Sequence, residues 1–459
     1  MTKKNKTVFI CQECGYESPK WMGQCICGTW NSMIEEKIVE TKIEDKRRRT
    51  GTSGETHARA KALTKVSIEG NKKSLDTGIG ELNRVLGGGL VQGSLTLISG
   101  EPGIGKSTII MQAAARISEK YGKVLYVTGE ESEEQIKMRV DRICPDISNN
   151  LFILAETNIE NVVIVADNLE PVFVVIDSIQ TMYTEDIDSA PGSVSQVRSC
   201  GNELMKMGKV KNVPVFIVAH VTKSGELAGP KTVEHMVDCV LNFMGERNQE
   251  LRILRSLKNR FGTTSEIGAF EMGGQGLEEI KDLSSRFLED MNTNVEGAIV
   301  TAVHEGTRPL LMEVQALAAT TSLGFARRTA IGIENSRLNM ILAVLERKAG
   351  MSLVNQDIYI NVVGGLRPEG TSTDLSVALA IHSSYRGKMT NKQTLALGEI
   401  GLTGEIRAVP NVRKIINEAI RMGFKKIILP EGQAKKLAFL GGKINLIGVK
   451  TINEALNAY

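Results

Sequence analysis

From residue 94 to residue 259, short apolar runs alternate with longer segments whose apolar positions recur at helical spacing. The runs "SLTLIS", "KVLYVT", "LFILA", "VFVVID", "VPVFIVAH", "VDCVLNF" and "LRILRSLKN" predict strands. Helices are predicted from Lys106 onward, over "EESEEQIKMRV", over "NIENVVIVADNL" and across about residues 192 to 209. Apolar strands separated by helices imply a parallel sheet covered on both faces. Near residues 270–290 the pattern lapses in "EMGGQGLEEIKDLSSRFLED", and a second alternation starts at "GAIVTAVHEGTRPLLMEVQALAA". It carries helices at about 336–349, 373–385 and 411–422 and short strands such as "DIYINVV" and "KKIILP", which predicts an α+β domain over 285–459.

Ahead of this texture the chain is different. Residues 35–65 form a polar run almost without aliphatic periodicity, too poor in apolar surface to offset the entropy of ordering, and predict a flexible linker. The expected plan is a small head over 1–34, the linker, an α/β domain over 66–275 and the α+β domain. A length of 459 residues is more than one core, in keeping with several domains. With 56 Lys and Arg against 53 Asp and Glu the charges nearly cancel, so any nucleic-acid contact must rest on local basic clusters. No apolar run approaches the roughly 20 residues of a membrane span. The basic N-terminus lacks a signal peptide's apolar core, which points to a cytoplasmic protein.

The segment "LISGEPGIGKSTII" contains G-x-x-x-x-G-K-[ST] between a predicted strand and a predicted helix, where a phosphate-binding loop belongs. Backbone N–H groups of Gly100, Glu101, Pro102's neighbours, Gly103, Ile104, Gly105, Lys106, Ser107 and Thr108 would surround ATP phosphates, with Pro102 shaping the turn. Lys106 supplies a charge to the β and γ phosphates, and Ser107 a hydroxyl to Mg²⁺. Four aliphatic residues ending in a carboxylate, "VVID", put Asp177 at a strand end beside the loop, where it can hold the Mg²⁺ water shell. Glu130 and Glu131 end the "VLYVTGEES" strand. One of them can accept a proton from the attacking water, while the other favours the next helix's N-terminus. His220 in "IVAHVTKSG" is either a γ-phosphate sensor or a structural histidine.

"LISGEPGIGKST", "YVTGEES", "VVIDSIQTM", "AHVTKSGELAGPKTVEHMVD" and "LKNRFGTTSEIGAFEM", in this order behind a four-cysteine head, resemble the bacterial RadA (Sms) family of RecA-like ATPases over essentially the whole chain. The resemblance implies a hexameric ring that binds single-stranded DNA and drives branch migration of recombination intermediates, acting beside other recombination proteins such as RecA. It places the catalytic glutamate on Glu130, the Mg²⁺ aspartate on Asp177 and the family's KNRFG motif on Lys258, Asn259, Arg260, Phe261 and Gly262. Lys258 and Arg260 suit a finger that reaches a neighbouring subunit's γ-phosphate, because a cation there stabilises charge developing in the transition state. DNA contacts are expected on "TEDIDSAPGSVSQV" and "TKSGELAGPK", with Lys223, Lys231, Lys258 and Arg260 as phosphate partners. Neither loop carries a stacking aromatic, so binding should be sequence-independent and salt-sensitive. A nucleotide-switched scaffold that loads other proteins without translocating is the alternative.

Of seven cysteines, Cys11, Cys14, Cys25 and Cys27 crowd the head, while Cys144, Cys200 and Cys239 stand singly in apolar surroundings. In a reducing compartment the first group reads as a four-thiolate Zn²⁺ site of zinc-ribbon type, able to fold a segment too small for its own core. The second pair is C-x-C, one residue shorter than the family's pattern, which predicts a loosened site. Trp21 and Trp30 flank it and are expected to pack on it. "RPEGTSTDLSVALAI" and "LGEIGLTGEIRAVPNVRKIINEAIRMGFKKIILP" resemble the proteolytic domain of the Lon family, a Ser–Lys dyad enzyme. Ser372 takes the nucleophile's place, but Arg413 falls where the lysine base belongs and Lys414 projects from another helix face. A guanidinium does not deprotonate in proteins, so Ser372 has no base, and an inactive Lon-like platform is expected. Ser372 then serves as a helix cap.

Overall fold

The computed structural model describes residues 5–11, 16–39, 74–144, 146–219, 231–245, 250–289, 291, 295–321, 325–363, 368, 370–391 and 393–459. The chain divides into two compact units, Met1–Ile280 and Lys281–Tyr459. None of the described helices is long and apolar enough to cross a membrane.

In the head, β1 (Asn5–Cys11) lies between β2 (Glu17–Ser18) and β3 (Met33–Val39), all antiparallel, with Cys11 opposite Met33. Cys11, Cys25 and Met33 are its buried core. Strand β3 continues to Val39, so pairing with β1 claims residues that composition alone assigned to the linker.

Beyond the head, the α/β region opens with α1 (Gly80–Leu86), then alternates β4 (Leu95–Gly100), α2 (Lys106–Lys120), β5 (Val124–Thr128), α3 (Glu133–Ile143), β6 (Leu151–Ala155), α4 (Ile159–Leu169) and β7 (Phe173–Asp177). It continues with α5 (Val194–Lys211), β8 (Val215–Val218), α6 (Lys231–Met236), β9 (Cys239–Met244), β10 (Leu251–Asn259), β11 (Ile267–Gly273) and β12 (Gly276–Glu279). Local chemistry fixes the helix starts. The Ser132 hydroxyl and Gln135 form a reciprocal capping box on α3, Asn158 caps α4 and Ser193 caps α5. Along β5, Val124 and Tyr126 enter one core while Leu125 and Val127 enter another on the opposite face. That alternation is the signature of a sheet buried on both sides.

The strand order is β12-β11-β10-β9-β4-β8-β7-β5-β6. Strands β9, β4, β8, β7, β5 and β6 are parallel, as expected, but β9, β10, β11 and β12 pair antiparallel. The connection from Met244 to Leu251 is far shorter than the dozen or so residues a parallel crossover needs. The lapse expected after residue 270 is the β11–β12 hairpin, whose glycine-rich turn hides the apolar alternation.

The second unit holds α7 (Leu283–Leu288), β13 (Ala298–Glu305), β14 (Arg308–Thr320), β15 (Arg328–Ile331), α8 (Asn335–Ala349), β16 (Gln356–Val362), α9 (Asp374–Arg386) and β17 (Thr394–Ala396). Then follow β18 (Glu399–Ile400), β19 (Ile406–Arg407), α10 (Val412–Arg421), β20 (Lys426–Pro430), α11 (Glu431–Lys436), β21 (Asn445–Val449) and α12 (Ile452–Ala458). Its main sheet runs β15-β16-β14-β13-β17-β20-β21, with β18 and β19 a separate pair. Arg337 of α8 makes a two-pronged ion pair with the buried Asp374 of α9 and also donates to the Ile400 carbonyl at 3.1 Å.

Candidate nucleotide and metal sites

The phosphate-binding loop connects β4 to α2. Gly105 has φ 116°, a left-handed backbone that demands glycine, and it lies among the side chains of Met272, Leu277 and Phe243. From β10, the buried Arg252 donates Nε to the Ile104 carbonyl at 3.2 Å and braces the loop from behind. Glu101, Pro102 and Gly103 are exposed, whereas Ser107 and Thr108 are half-buried at the start of α2. The Lys106 side chain is buried, its Nζ donating to the Gly100 carbonyl at 2.8 Å and to the Glu101 carbonyl at 2.9 Å. Burial pushes its pKa down to about 8, opposed by the negative charges of Asp177, Glu130 and Glu101. A buried ammonium held by neutral carbonyls fits a polyphosphate, which would supply the charge its surroundings lack.

Asp177 ends β7. Strand β8 separates β7 from β4, so Asp177 lies one strand further from the loop than the expected adjacent position, though on the same edge of the sheet. The Tyr126 hydroxyl donates to Asp177 Oδ2 at 2.5 Å from the neighbouring β5. Tyr126 is fully buried, and desolvation first, then Asp177, raise its pKa well above the usual phenol value, which keeps it a donor. The next residue, Ser178, follows a cis peptide bond and donates Oγ to Glu130 Oε1 at 2.6 Å. Glu131 turns away. Its carboxylate pairs with Arg139 at 2.8 Å, and its backbone is tied to the Thr128 hydroxyl. Of the two glutamates, Glu130 therefore stands with Asp177, and Glu131 braces α3.

The KNRFG segment follows a bulge in β10 between Ser256 and Lys258. Lys258 Nζ donates to the carbonyls of Glu234 at 2.8 Å and His235 at 3.3 Å, near the end of α6. Desolvation first and Arg260 second lower its pKa. Asn259 Oδ1 accepts from the N–H groups of Phe261 and Gly262, which closes the turn. Arg260 is more than half exposed and pairs with Asp238 at 3.3 Å. The two cations are thus not equivalent, since Lys258 is held by carbonyls near the end of α6 while Arg260 is more than half exposed. His220 and Lys223 lie outside the described residues, as does the side chain of Lys231 at the start of α6.

In the head, the sulfurs of Cys11, Cys25 and Cys27 all lie within 4.8 Å of one another, and Cys11 Sγ is 3.8 Å from Cys27 Sγ. Tetrahedral zinc with Zn–S bonds of about 2.3 Å requires a sulfur separation of about 3.8 Å. Cys14 lies outside the described residues. The shortened C-x-C pair is not extended. Cys25 to Gly28 form a turn, closed by the Gly28 N–H on the Cys25 carbonyl at 2.8 Å and requiring φ 91° at Gly28. That turn supplies the reversal the missing residue would have given. Trp21 and Trp30 do not pack on the site as expected, for they are 54% and 68% exposed.

In the second unit, the helix expected to be capped by Ser372 begins at Asp374 with Thr373 at the cap position, and the Ser372 carbonyl accepts from the Gly398 N–H at 3.1 Å. Arg413 opens α10 with its guanidinium 5.7 Å from the Phe439 ring centre, and Lys414 is exposed. Tyr126, Ser178 and Arg252 were not singled out from the sequence. Only the strand position of Tyr126, two residues before the strand-end Thr128, hinted at its reach.

Comparisons with known proteins agree with this layout. Family models match over residues 60–226 (AAA domain), 9–35 (Rubredoxin metal binding domain) and 315–433 (Subunit ChlI of Mg-chelatase). The chain is 49% identical over 459 residues to DNA repair protein RadA of Halalkalibacterium halodurans, covering 99% of this chain and 98% of that one. It is 48% identical to the RadA of Bacillus subtilis and 46% identical to that of Listeria monocytogenes, at the same coverage. Among solved structures, an ATPase domain aligns with 47% of this chain and 94% of its own at TM-score 0.41 and 14% identity, too low to carry an inference.

Proposed function

The chain belongs to the RadA family of DNA repair proteins, and from that premise we propose an ATP-driven motor that binds single-stranded DNA and moves branched recombination intermediates as a hexameric ring. Its architecture is that of the family: a zinc-ribbon head, a RecA-like P-loop ATPase domain and a Lon-protease-like C-terminal domain. The observation that carries the motor reading is the Ser178–Glu130 hydrogen bond beside Asp177, which sets a carboxylate base next to a strand-end aspartate within electrostatic reach of Lys106.

Lys106 and the loop N–H groups from Gly100 to Thr108 bind the triphosphate, which is the substrate. Ser107 and Asp177 would hold Mg²⁺, which fits their donor types, hydroxyl and carboxylate, and the Tyr126 hydrogen bond orients the Asp177 carboxylate. Bound there, Mg²⁺ would supply positive charge against the charge developing on the phosphates. Glu130 takes the proton of the attacking water as the bond from water oxygen to γ-phosphorus forms and the bridging oxygen leaves with ADP. Arg260 of a neighbouring subunit stabilises the charge on the transferred phosphoryl group. Lys258 links that finger to α6, which follows the loop carrying Lys223. Phosphate contacts by Lys223 and Lys231 make the binding salt-dependent. Cys11, Cys25 and Cys27, with Cys14 as the fourth thiolate, would hold Zn²⁺, which would supply the cross-link that folds the head, and the head presents its exposed tryptophans to partners. The Lon-like unit is a platform without peptidase chemistry, because Arg413 stays charged and stacks on Phe439.

The test is ATPase and branch migration by wild type and Lys106→Ala, with and without single-stranded DNA, over a range of salt. DNA-stimulated turnover that falls steeply with salt, and loss of both activities in the variant, are expected. Branch migration that survives in a variant unable to bind ATP would leave only the scaffold.

A further inference from the structure

The segment between β7 and α5 descends directly from the nucleotide site. After Asp177 and Ser178 come a 3-10 turn (Ile179–Thr181), then Thr184 and the loop to Ser193. Its exposed side chains include Glu185, Asp186 and Asp188, which repel phosphate. Whatever this loop gives to a polynucleotide must come from backbone groups and from the hydroxyls of Ser189, Ser193 and Ser195, which lie within 3.3 Å of one another. Such contacts depend on shape, so the residue that holds the shape decides them.

That residue is Gln196. It is 1% exposed, accepts the Thr184 N–H at 2.8 Å through Oε1, and donates Nε2 to the carbonyls of Thr184 at 3.1 Å, Ile187 at 2.9 Å and Ser189 at 3.2 Å. One buried amide thus turns three loop carbonyls inward, away from any bound phosphate, and ties both ends of the acidic stretch to α5. We propose that Gln196 is a positioning residue for polynucleotide binding: it shapes the Thr184–Ser193 loop for single-stranded DNA and, through the short link back to Ser178, couples DNA to ATP turnover. This inference rests on the motor reading above.

The test compares wild type, Gln196→Met and Gln196→Glu by ATPase against increasing oligothymidylate. The first variant removes the amide, and the second keeps the acceptor but sets a carboxylate against three carbonyls. For both, the half-saturating oligothymidylate should rise about tenfold or more, the effect of losing one or two buried hydrogen bonds. Turnover without DNA should stay within about twofold. Gln112, also buried and hydrogen-bonded to both backbone groups of Leu277, is the matched control, and Gln112→Met should leave half-saturation unchanged. Half-saturation at the wild-type concentration in folded Gln196 variants overturns the inference and spares the motor reading. A wild-type ATPase indifferent to DNA overturns both. Hydrogen exchange on the unaltered chain needs no variant. Amides of 185–192 should gain protection with oligothymidylate, and no gain also overturns the inference.

Discussion

Lys106 offers the sharpest quantitative test of the nucleotide site. Its ammonium is enclosed by protein and met by two neutral carbonyls, so burial lowers its pKa from 10.5 to about 8 even though Asp177, Glu130 and Glu101 pull the other way. Polyphosphate binds the charged form. In the nucleotide-free chain that form falls from about nine-tenths at pH 7 to about one-tenth at pH 9, so the apparent Kd should rise about tenfold across this interval. The terminal phosphate completes its own ionisation below this window and adds little. Binding restores the missing charge, so about half a proton should be taken up at pH 8. Stability gives the opposite sign. Between about 8 and 10.5 the unfolded chain holds a proton on Lys106 that the native chain lacks, so this residue's contribution grows as pH rises through the window. Calorimetric titration of a non-hydrolysable ATP analogue in buffers of differing ionisation enthalpy reads both affinity and proton uptake. Lys106→Arg, charged throughout, should bind more weakly but lose the pH dependence. A Kd that stays flat from pH 7 to 9, with heats independent of buffer, would refute the claim that burial controls this side chain.

Tyr126→Phe removes a hydrogen bond to a carboxylate and should cost about 1 to 2 kcal/mol in urea unfolding while raising the Mg²⁺ needed for half-maximal ATPase; unchanged Mg²⁺ demand would mean that Tyr126 is structural only. Arg337→Met strands the buried Asp374, whose pKa burial already raises, and should cost about 3 to 5 kcal/mol, only part of it recovered in the double variant with Asp374→Leu because the buried Ile400 N–H then loses its acceptor, as read by denaturant unfolding of the full chain. Cys11→Ser should abolish zinc retention on dialysis and expose the head to proteolysis while nucleotide affinity stays at the wild-type value.

The fold was legible wherever burial imposes a period. "LFILA" is β6 to the residue, and the three long helices of the second unit start and stop within two residues of their expected bounds, because a long apolar pattern sets each helix, as one buried stripe in α8 and α10 and an almost wholly buried run in α9. Gly350 and Gly387, both left-handed, mark two of those ends. Strand direction was less legible. Apolar content says that a strand is buried, not which neighbour it pairs with, and only the short Met244–Leu251 link betrayed the antiparallel edge. The β3 strand escaped because its three middle residues, Glu35, Glu36 and Lys37 in "MIEEKIV", are all charged, and its order comes from pairing with β1.

At the site, the residues proposed to bind nucleotide could be named from the sequence because their chemistry is written in contiguous motifs. Those that hold them were not. Tyr126 and Asp177 are far apart in the chain, as are Ser178 and Glu130, and each of these pairs meets because the neighbouring strands β5 and β7 deliver them to one sheet edge, while Arg252 of β10 reaches Ile104 across β9. Tyr126 in a run of aliphatic residues is indistinguishable from core until β5 is laid beside β7, when Thr128 falls opposite Asp177 and the phenol comes within reach of the carboxylate. The ambiguity between Glu130 and Glu131 was of the same kind. Adjacent carboxylates point in different directions, and Arg139, one helical segment on, takes Glu131 out of contention while Ser178 fixes Glu130. Motifs thus name the atoms that do chemistry, and register across the sheet decides which of them can act together.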